Sequence, residues 1–205
     1  MLNKYQEYRR IYPEIRMSYS LYKLWISAGR SADGWAKVWA YLTEQRTETT
    51  GPQLLGKETH EFLEKQGPPK EVLEVIGDKH IELERKIEVP VSVAKGLESK
   101  IVSVLDVVND DWVVDYKSGV WRGYEDQIRL YSTVCELAGL PVPNHGMLVQ
   151  VIPVQDNGQV IAAVVNRMSV YEITDEDREW WKIRLDTMSQ NLLYNIEQGE
   201  LDKYL

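Results

Sequence analysis

Cysteine is almost absent from this sequence. Cys135 is the only one in 205 residues, which excludes an internal disulfide. One thiolate by itself holds neither a structural zinc nor an iron–sulfur cluster, so no cluster is expected, and a reducing cytoplasm is the expected location. Long apolar runs are missing too. No stretch approaches the ~18 consecutive apolar residues of a membrane span, and the opening MLNKYQEYRR lacks the apolar core of a secretory signal. No membrane partner is expected. Basic residues are in deficit, with 24 Lys/Arg against 32 Asp/Glu and a net charge of −8. That balance argues against a chain coated uniformly in nucleic acid. No Gly-x-x-x-x-Gly-Lys-Ser/Thr loop occurs, so any ATP dependence would need a partner.

What is present is a globular composition, with 43% hydrophobic residues, enough for one domain with a real core and a helical appendage. The charge is unevenly spread. Residues 1–50 carry eight Lys/Arg against five Asp/Glu and are therefore net positive. The same segment holds six of the twelve tyrosines and three of the seven tryptophans. Basic residues among aromatics suit a single-strand surface, where bases stack on rings. Tyr19, Tyr22 and Trp25 are the candidates for that role. The alternative is an amphipathic helical pair with its aromatics turned inward.

Periodicity predicts helices over 18–29 and 33–46, the first capped by Ser18 or Ser20 and ended by Gly29. A third helix runs from Gly51-Pro52 to about Gln66, and a short fourth fits 69–76. Residues 81–93, 100–108 and 111–117 then turn rich in Val and Ile and read as a three-stranded meander. A helix over 124–138 follows. A hairpin of 146–154 with 160–172 crosses Asp156-Asn157-Gly158. A last helix starts at Thr174, with Trp181, Leu185, Met188 and Leu192 as its buried stripe. This order predicts an α/β fold with a mixed central sheet flanked by helices. Residues 1–50 are read as a helical cap packed on a core of residues 51–205.

The chemistry concentrates between 102 and 119. Asp106 and Asp115 each lie in an apolar strand. A carboxylate there is costly unless something compensates it, and a divalent cation shared by two acids does so. Lys117 lies two residues beyond Asp115 and so shares its strand face. An ammonium at that point can hold a phosphate oxygen or favour a deprotonated water. His60 shares one helix face with Gly56 and Glu64. As an imidazole ligand it would tilt a metal preference toward Mn²⁺ over Mg²⁺. Gln127 and Tyr131, spaced i, i+4 on the helix after the acidic strand, are within reach of the same place.

These elements resemble a family. Gly56-Lys57-Glu58-Thr59-His60, then Ser103-Val104-Leu105-Asp106, then Asp115-Tyr116-Lys117-Ser118-Gly119, then Gln127-Ile128-Arg129-Leu130-Tyr131 follow the order seen in the RecB-like branch of the PD-(D/E)XK nucleases. The resemblance covers roughly residues 50–200. Two departures stand out: Val104 and Ser103 where the family often has glycine, and Asp115 where it often has glutamate.

The resemblance implies a restriction-endonuclease-like core and a metal-dependent deoxyribonuclease. His60, Asp106, Asp115 and the main-chain carbonyl of Tyr116 would hold Mg²⁺ or Mn²⁺. Lys117 would activate the attacking water. Gln127 and Tyr131 would contact the phosphate or support the site. A further acid is expected upstream, with Glu64, Glu84 and Glu88 left open. The single cysteine sets the chain nearer the cluster-free relatives, such as phage exonucleases and the mitochondrial genome-maintenance exonuclease, than the iron–sulfur relatives of CRISPR systems. The expected activity is a DNA exonuclease of repair or recombination acting on single strands or free ends, working with a homo-oligomeric or recombination partner. The competing readings are a structure-selective endonuclease and a non-catalytic binding subunit.

Overall fold

The computed structural model describes residues 14–29, 31–43, 50–94, 97–121 and 123–198. Its elements are β1 (Glu14–Met17), α1 (Tyr19–Ala28), α2 (Ala32–Leu42), α3 (Gly51–Gln66), α4 (Lys70–Ile76), β2 (Glu82–Ala94), β3 (Leu97–Val108), β4 (Trp112–Lys117), α5 (Glu125–Leu137), β5 (His145–Asp156), β6 (Gln159–Glu172) and α6 (Asp175–Gln198). Helices flank a mixed six-stranded sheet of order β1-β3-β4-β5-β6, with β2 paired to β3. The class expected from the sequence is the one observed. Pairing is parallel for β1 with β3 and for β4 with β5, and antiparallel for β3 with β4 and for β5 with β6. Parallel β4 and β5 need a crossover, and α5 supplies it.

The chain divides into two compact units. The first contains residues 1–47, 88–103 and 180–205. Here β1 runs parallel to β3 in the register Glu14↔Glu98 to Met17↔Ile101. The helical cap expected over residues 1–50 thus includes a strand, because four residues are too few to show a period. Ser18 caps α1 by accepting from the Leu21 N–H. The second helix ends at Leu42 rather than 46, and residues 44–49 lie outside those described. Trp181, Leu185, Met188 and Leu192 of α6 are all buried, as the stripe predicted, and Trp181 meets Tyr22 edge-on at 4.6 Å.

The second unit contains residues 48–87 and 104–179. Its core joins Leu63 of α3 and Val72 and Ile76 of α4 to Val107, Val114, Tyr116, Met147, Val149 and Val151 of the sheet. Alternation on β4 therefore sends Val114 and Tyr116 into this core and leaves Asp115 and Lys117 to the other face. The β5–β6 turn is the two-residue Asn157-Gly158 loop, with both residues at positive φ, 48° and 79°, as a hairpin turn matching the strand twist requires. Thr174 and Asp177 start α6 with a reciprocal pair of hydrogen bonds, Thr174 N to Asp177 Oδ2 at 3.0 Å and Asp177 N to Thr174 Oγ1 at 3.2 Å.

Candidate metal and catalytic site

The antiparallel rungs Val107↔Val114 and Val108↔Val113 carry Asp106 and Asp115 to adjacent positions where β3 and β4 run side by side. Both are buried, with 8% and 2% of their surface exposed. Asp106 is held by the backbone: the Tyr116 N–H donates to its Oδ2 at 2.6 Å. Its other oxygen, Oδ1, lies 3.3 Å from His60 Nδ1. His60 reaches the sheet from α3, one turn beyond Gly56. A methyl group at Gly56 would crowd Ser118 Oγ at 3.2 Å, so the glycine is what lets α3 come close to the strand end beyond Lys117.

Of the three upstream acids, Glu84 enters the cluster. Its Oε1 lies 4.0 Å from His60 Nδ1. Ligand atoms of His60, Glu84 and Asp106 all fall within 4.8 Å of one another. Glu64 is exposed on α3, and Glu88 pairs with Lys100. Spacing alone did not separate the three because Glu84 sits at φ 47°, a conformation rare outside glycine. Strand alternation does not foresee such a kink.

The electrostatics are those of acids crowded away from water. Burial, reinforced by the charge of Asp106, pushes the Glu84 carboxyl up to about 7. Burial also raises Asp115, against the opposing pull of the Lys117 ammonium. For His60, burial disfavours the cation, yet the hydrogen bond and charge of Asp106, with Asp115 and Glu84, outweigh it and raise the imidazole. A bound cation would reverse the carboxylate shifts. The donor set fits one: carboxylate oxygens with an imidazole nitrogen suit a hard or borderline divalent ion. Asp115 Oδ2 makes no aligned hydrogen bond, its contact being the Lys117 ammonium at 2.6 Å.

Lys117 Nζ also stands over the Tyr124 ring, 4.8 Å from its centroid, a neighbour the sequence did not indicate. From α5, the Tyr131 hydroxyl lies 3.4 Å from Asp115 Oδ1 and accepts from Gln127 Nε2. Burial and the nearby acids hold the Tyr131 hydroxyl protonated, well above its ordinary value. His60, Asp106, Asp115, Tyr116, Lys117, Gln127 and Tyr131 are thus brought together. Tyr19, Tyr22 and Trp25 lie in the other compact unit. Tyr22 is buried against Trp181, Tyr19 is half-buried, and the Trp25 indole N–H donates to Asn191 Oδ1 at 3.0 Å. A cavity lined by His80, Arg85, Asn109 and Cys135 opens near the β3–β4 turn and includes none of the clustered residues.

A mixed six-stranded sheet flanked by helices defines an α/β fold. The chain is similar to an alkaline exonuclease, LHK-Exo from Laribacter hongkongensis, with a TM-score of 0.50, 10% identity and 97% of each chain covered. It is also similar to LHK-Exo in complex with dAMP, with a TM-score of 0.51, 12% identity, and 91% of this chain and 92% of that one covered. At such identities the likeness establishes the fold. No family model matches the sequence, and no curated protein matches it. Among the described residues, no helix is long and apolar enough to cross a membrane.

Proposed function

We propose that this chain is a divalent-metal-dependent DNA exonuclease of the RecB-like type, hydrolysing phosphodiesters at single strands or free ends. The observation that carries the reading is the convergence of His60, Glu84 and Asp106 within 4.8 Å, beside a buried Asp115 paired to Lys117 at 2.6 Å. These residues come from α3, β2, β3 and β4. A surface ion pair has no need to gather an imidazole and three acids from four separate elements. The fold shared with an alkaline exonuclease supports the same chemistry.

His60, Glu84, Asp106 and Asp115 would hold Mg²⁺ or Mn²⁺, which when bound neutralises a scissile phosphate and makes a water more acidic. The protein's own groups do the rest. Lys117, fixed between Asp115 and the Tyr124 ring, offers an ammonium where negative charge grows on the phosphoryl oxygens. The Tyr116 N–H holds one oxygen of Asp106, leaving the other toward His60. The Tyr131 hydroxyl, itself held by Gln127, faces Asp115 Oδ1. Water adds to phosphorus and gives up a proton to solvent, the bond to the leaving sugar oxygen breaks, and that oxygen takes up a proton from solvent.

The test is digestion of end-labelled linear, circular and single-stranded DNA with Mg²⁺, Mn²⁺ or EDTA. Loss of linear and single-stranded DNA with survival of the circle, in metal only, is the expected result. Cleavage of the circle would favour the endonuclease reading, and full activity in EDTA would overturn metal dependence.

A further inference from the structure

Beyond Lys117 the chain does not enter α5 directly. It passes through Ser118, Gly119, Val120 and Trp121, and this loop is tied to the β5–β6 hairpin. Lys117 pairs with Gln150 on β5, and Gln150 pairs with Arg167 on β6. The three residues form one row across three strands and share a face. The Gln150 side chain donates to the Gly119 carbonyl at 2.8 Å and accepts from Asn166 Nδ2 at 2.8 Å. Asn166 is the extra residue of a bulge, because the register jumps from Gln150↔Arg167 to Val151↔Val165. Bulges of this kind re-aim side chains beside functional sites. Next to this bulge, on the last regular rung before it, Arg167 has its guanidinium carbon 4.6 Å from the centroid of the Trp121 ring. Arg167 is exposed and Trp121 only partly buried.

At a strand spacing of about 4.8 Å, Arg167 lies about 10 Å from Lys117 along the row. That is within about three stacked nucleotides at roughly 3.4 Å each. An indole with a stacked guanidinium combines the two features that hold an unpaired strand, a flat surface for a base and a cation for a phosphate. We propose that Trp121 and Arg167 form a subsite beside Lys117 for a nucleotide near the scissile bond, Trp121 stacking on its base and Arg167 meeting its phosphate. This rests on the nuclease reading and names the groups that set its strand preference.

The experiment compares Trp121→Leu, Trp121→Phe and Arg167→Gln with the wild type. Trp180→Leu is the control, since Arg184 stacks on Trp180 at 4.9 Å in the compact unit that does not contain Lys117. Binding of a short fluorescent oligothymidylate is measured by anisotropy in calcium, and KM and kcat in manganese, with circular dichroism to verify folding. Trp121→Leu should weaken binding and raise KM roughly five- to hundred-fold with kcat little changed, and Trp121→Phe should restore most of the loss. Arg167→Gln should weaken binding and lower the salt slope by about one. An abasic residue moved along the strand should weaken wild-type binding at one position and have no added effect in Trp121→Leu. Trp180→Leu should match the wild type.

Wild-type binding and KM in both Trp121→Leu and Arg167→Gln would overturn the subsite while leaving the nuclease reading intact. So would an equal loss in Trp180→Leu. A wild type that neither binds nor cleaves DNA in either metal would overturn the nuclease reading itself. If Trp121→Leu fails to fold, Arg167→Gln and the abasic scan of the wild type carry the decision, and wild-type binding in the first with no position-dependent loss in the second would overturn the subsite.

Discussion

Lys117 Nζ stands 2.6 Å from Asp115 Oδ2, two residues away on the same strand face. The two side chains form one charge-compensated unit in which the acid is buried and the ammonium keeps a path to solvent. Their substitutions should nevertheless fail in different ways. Asp115→Asn removes a charge that would hold the cation, so Mn²⁺ affinity and cleavage should fall together. Lys117→Ala leaves the acids in place, so metal and DNA should still bind while the chemical step slows roughly 10²-fold or more. Single-turnover cleavage with calorimetric Mn²⁺ titration separates the two. Near-normal cleavage by Lys117→Ala would reduce the pair to an ordinary strand end.

Glu84 gives a second test, one that depends on geometry that spacing did not reveal. Its carboxylate is grouped with His60 and Asp106, whereas Glu64 on the same helix face as His60 is exposed. Glu84→Gln should therefore weaken Mn²⁺ binding at least several-fold and lower activity at limiting metal, with rescue at high metal. Glu64→Gln should change neither by more than about two-fold, since it alters a solvated charge. Equal effects from the two would mean that Glu84 only supplies general negative potential.

Cys135 bears on pH. It is buried on α5, and burial pushes its thiol up to about 11. Since the thiolate is the nucleophile, the neutral thiol should dominate at every pH below that value. At pH 8 the native protein should react with a disulfide reagent roughly 100-fold or more slowly than the unfolded chain, where the thiol titrates near 8.5. The rate should rise with pH toward 11 for as long as the fold survives. Rapid stoichiometric labelling of the native protein at pH 8 would contradict the burial.

The legible part of this protein is the part governed by period and punctuation. The hairpin at Asn157-Gly158, the α6 stripe beneath Trp181 and the strands around Asp106 and Asp115 followed from alternation, turn residues and caps. The ordered motifs, through the family they resemble, nominated His60, Asp106, Asp115 and Lys117 as neighbours. What stayed hidden depends on three-dimensional exceptions. Glu84 needs a positive φ within β2. The Arg167–Trp121 contact joins the loop beyond β4 to a rung of β6. Strand β1 is only four residues long and takes its pairing from β3, far along the chain. None of these leaves a periodic trace in the sequence.

The aromatic N-terminal segment remains to be divided between packing and binding, and Tyr22 and Trp25 divide it. Tyr22 is buried and meets Trp181 edge-on at 4.6 Å, while Trp25 is half-buried with its indole N–H bonded to Asn191. Tyr22→Leu removes an aromatic pair from the core, and a single core substitution of this kind costs roughly 0.5–3 kcal/mol. For a chain of this length that should lower Tm by roughly 2–10 °C, with oligonucleotide affinity unchanged once the fraction folded is accounted for. Trp25→Leu should cost less stability, because the hydrogen bond it loses is worth about 1 kcal/mol and the half-buried Asn191 left behind can turn to water. If Trp25 stacks on a base, single-strand affinity should instead fall by about 1–3 kcal/mol without a matching change in Tm. Thermal melts and anisotropy on the same preparations give both quantities. A Tyr22→Leu protein with unaltered Tm and weakened DNA binding would move the whole aromatic group from the core to the substrate strand.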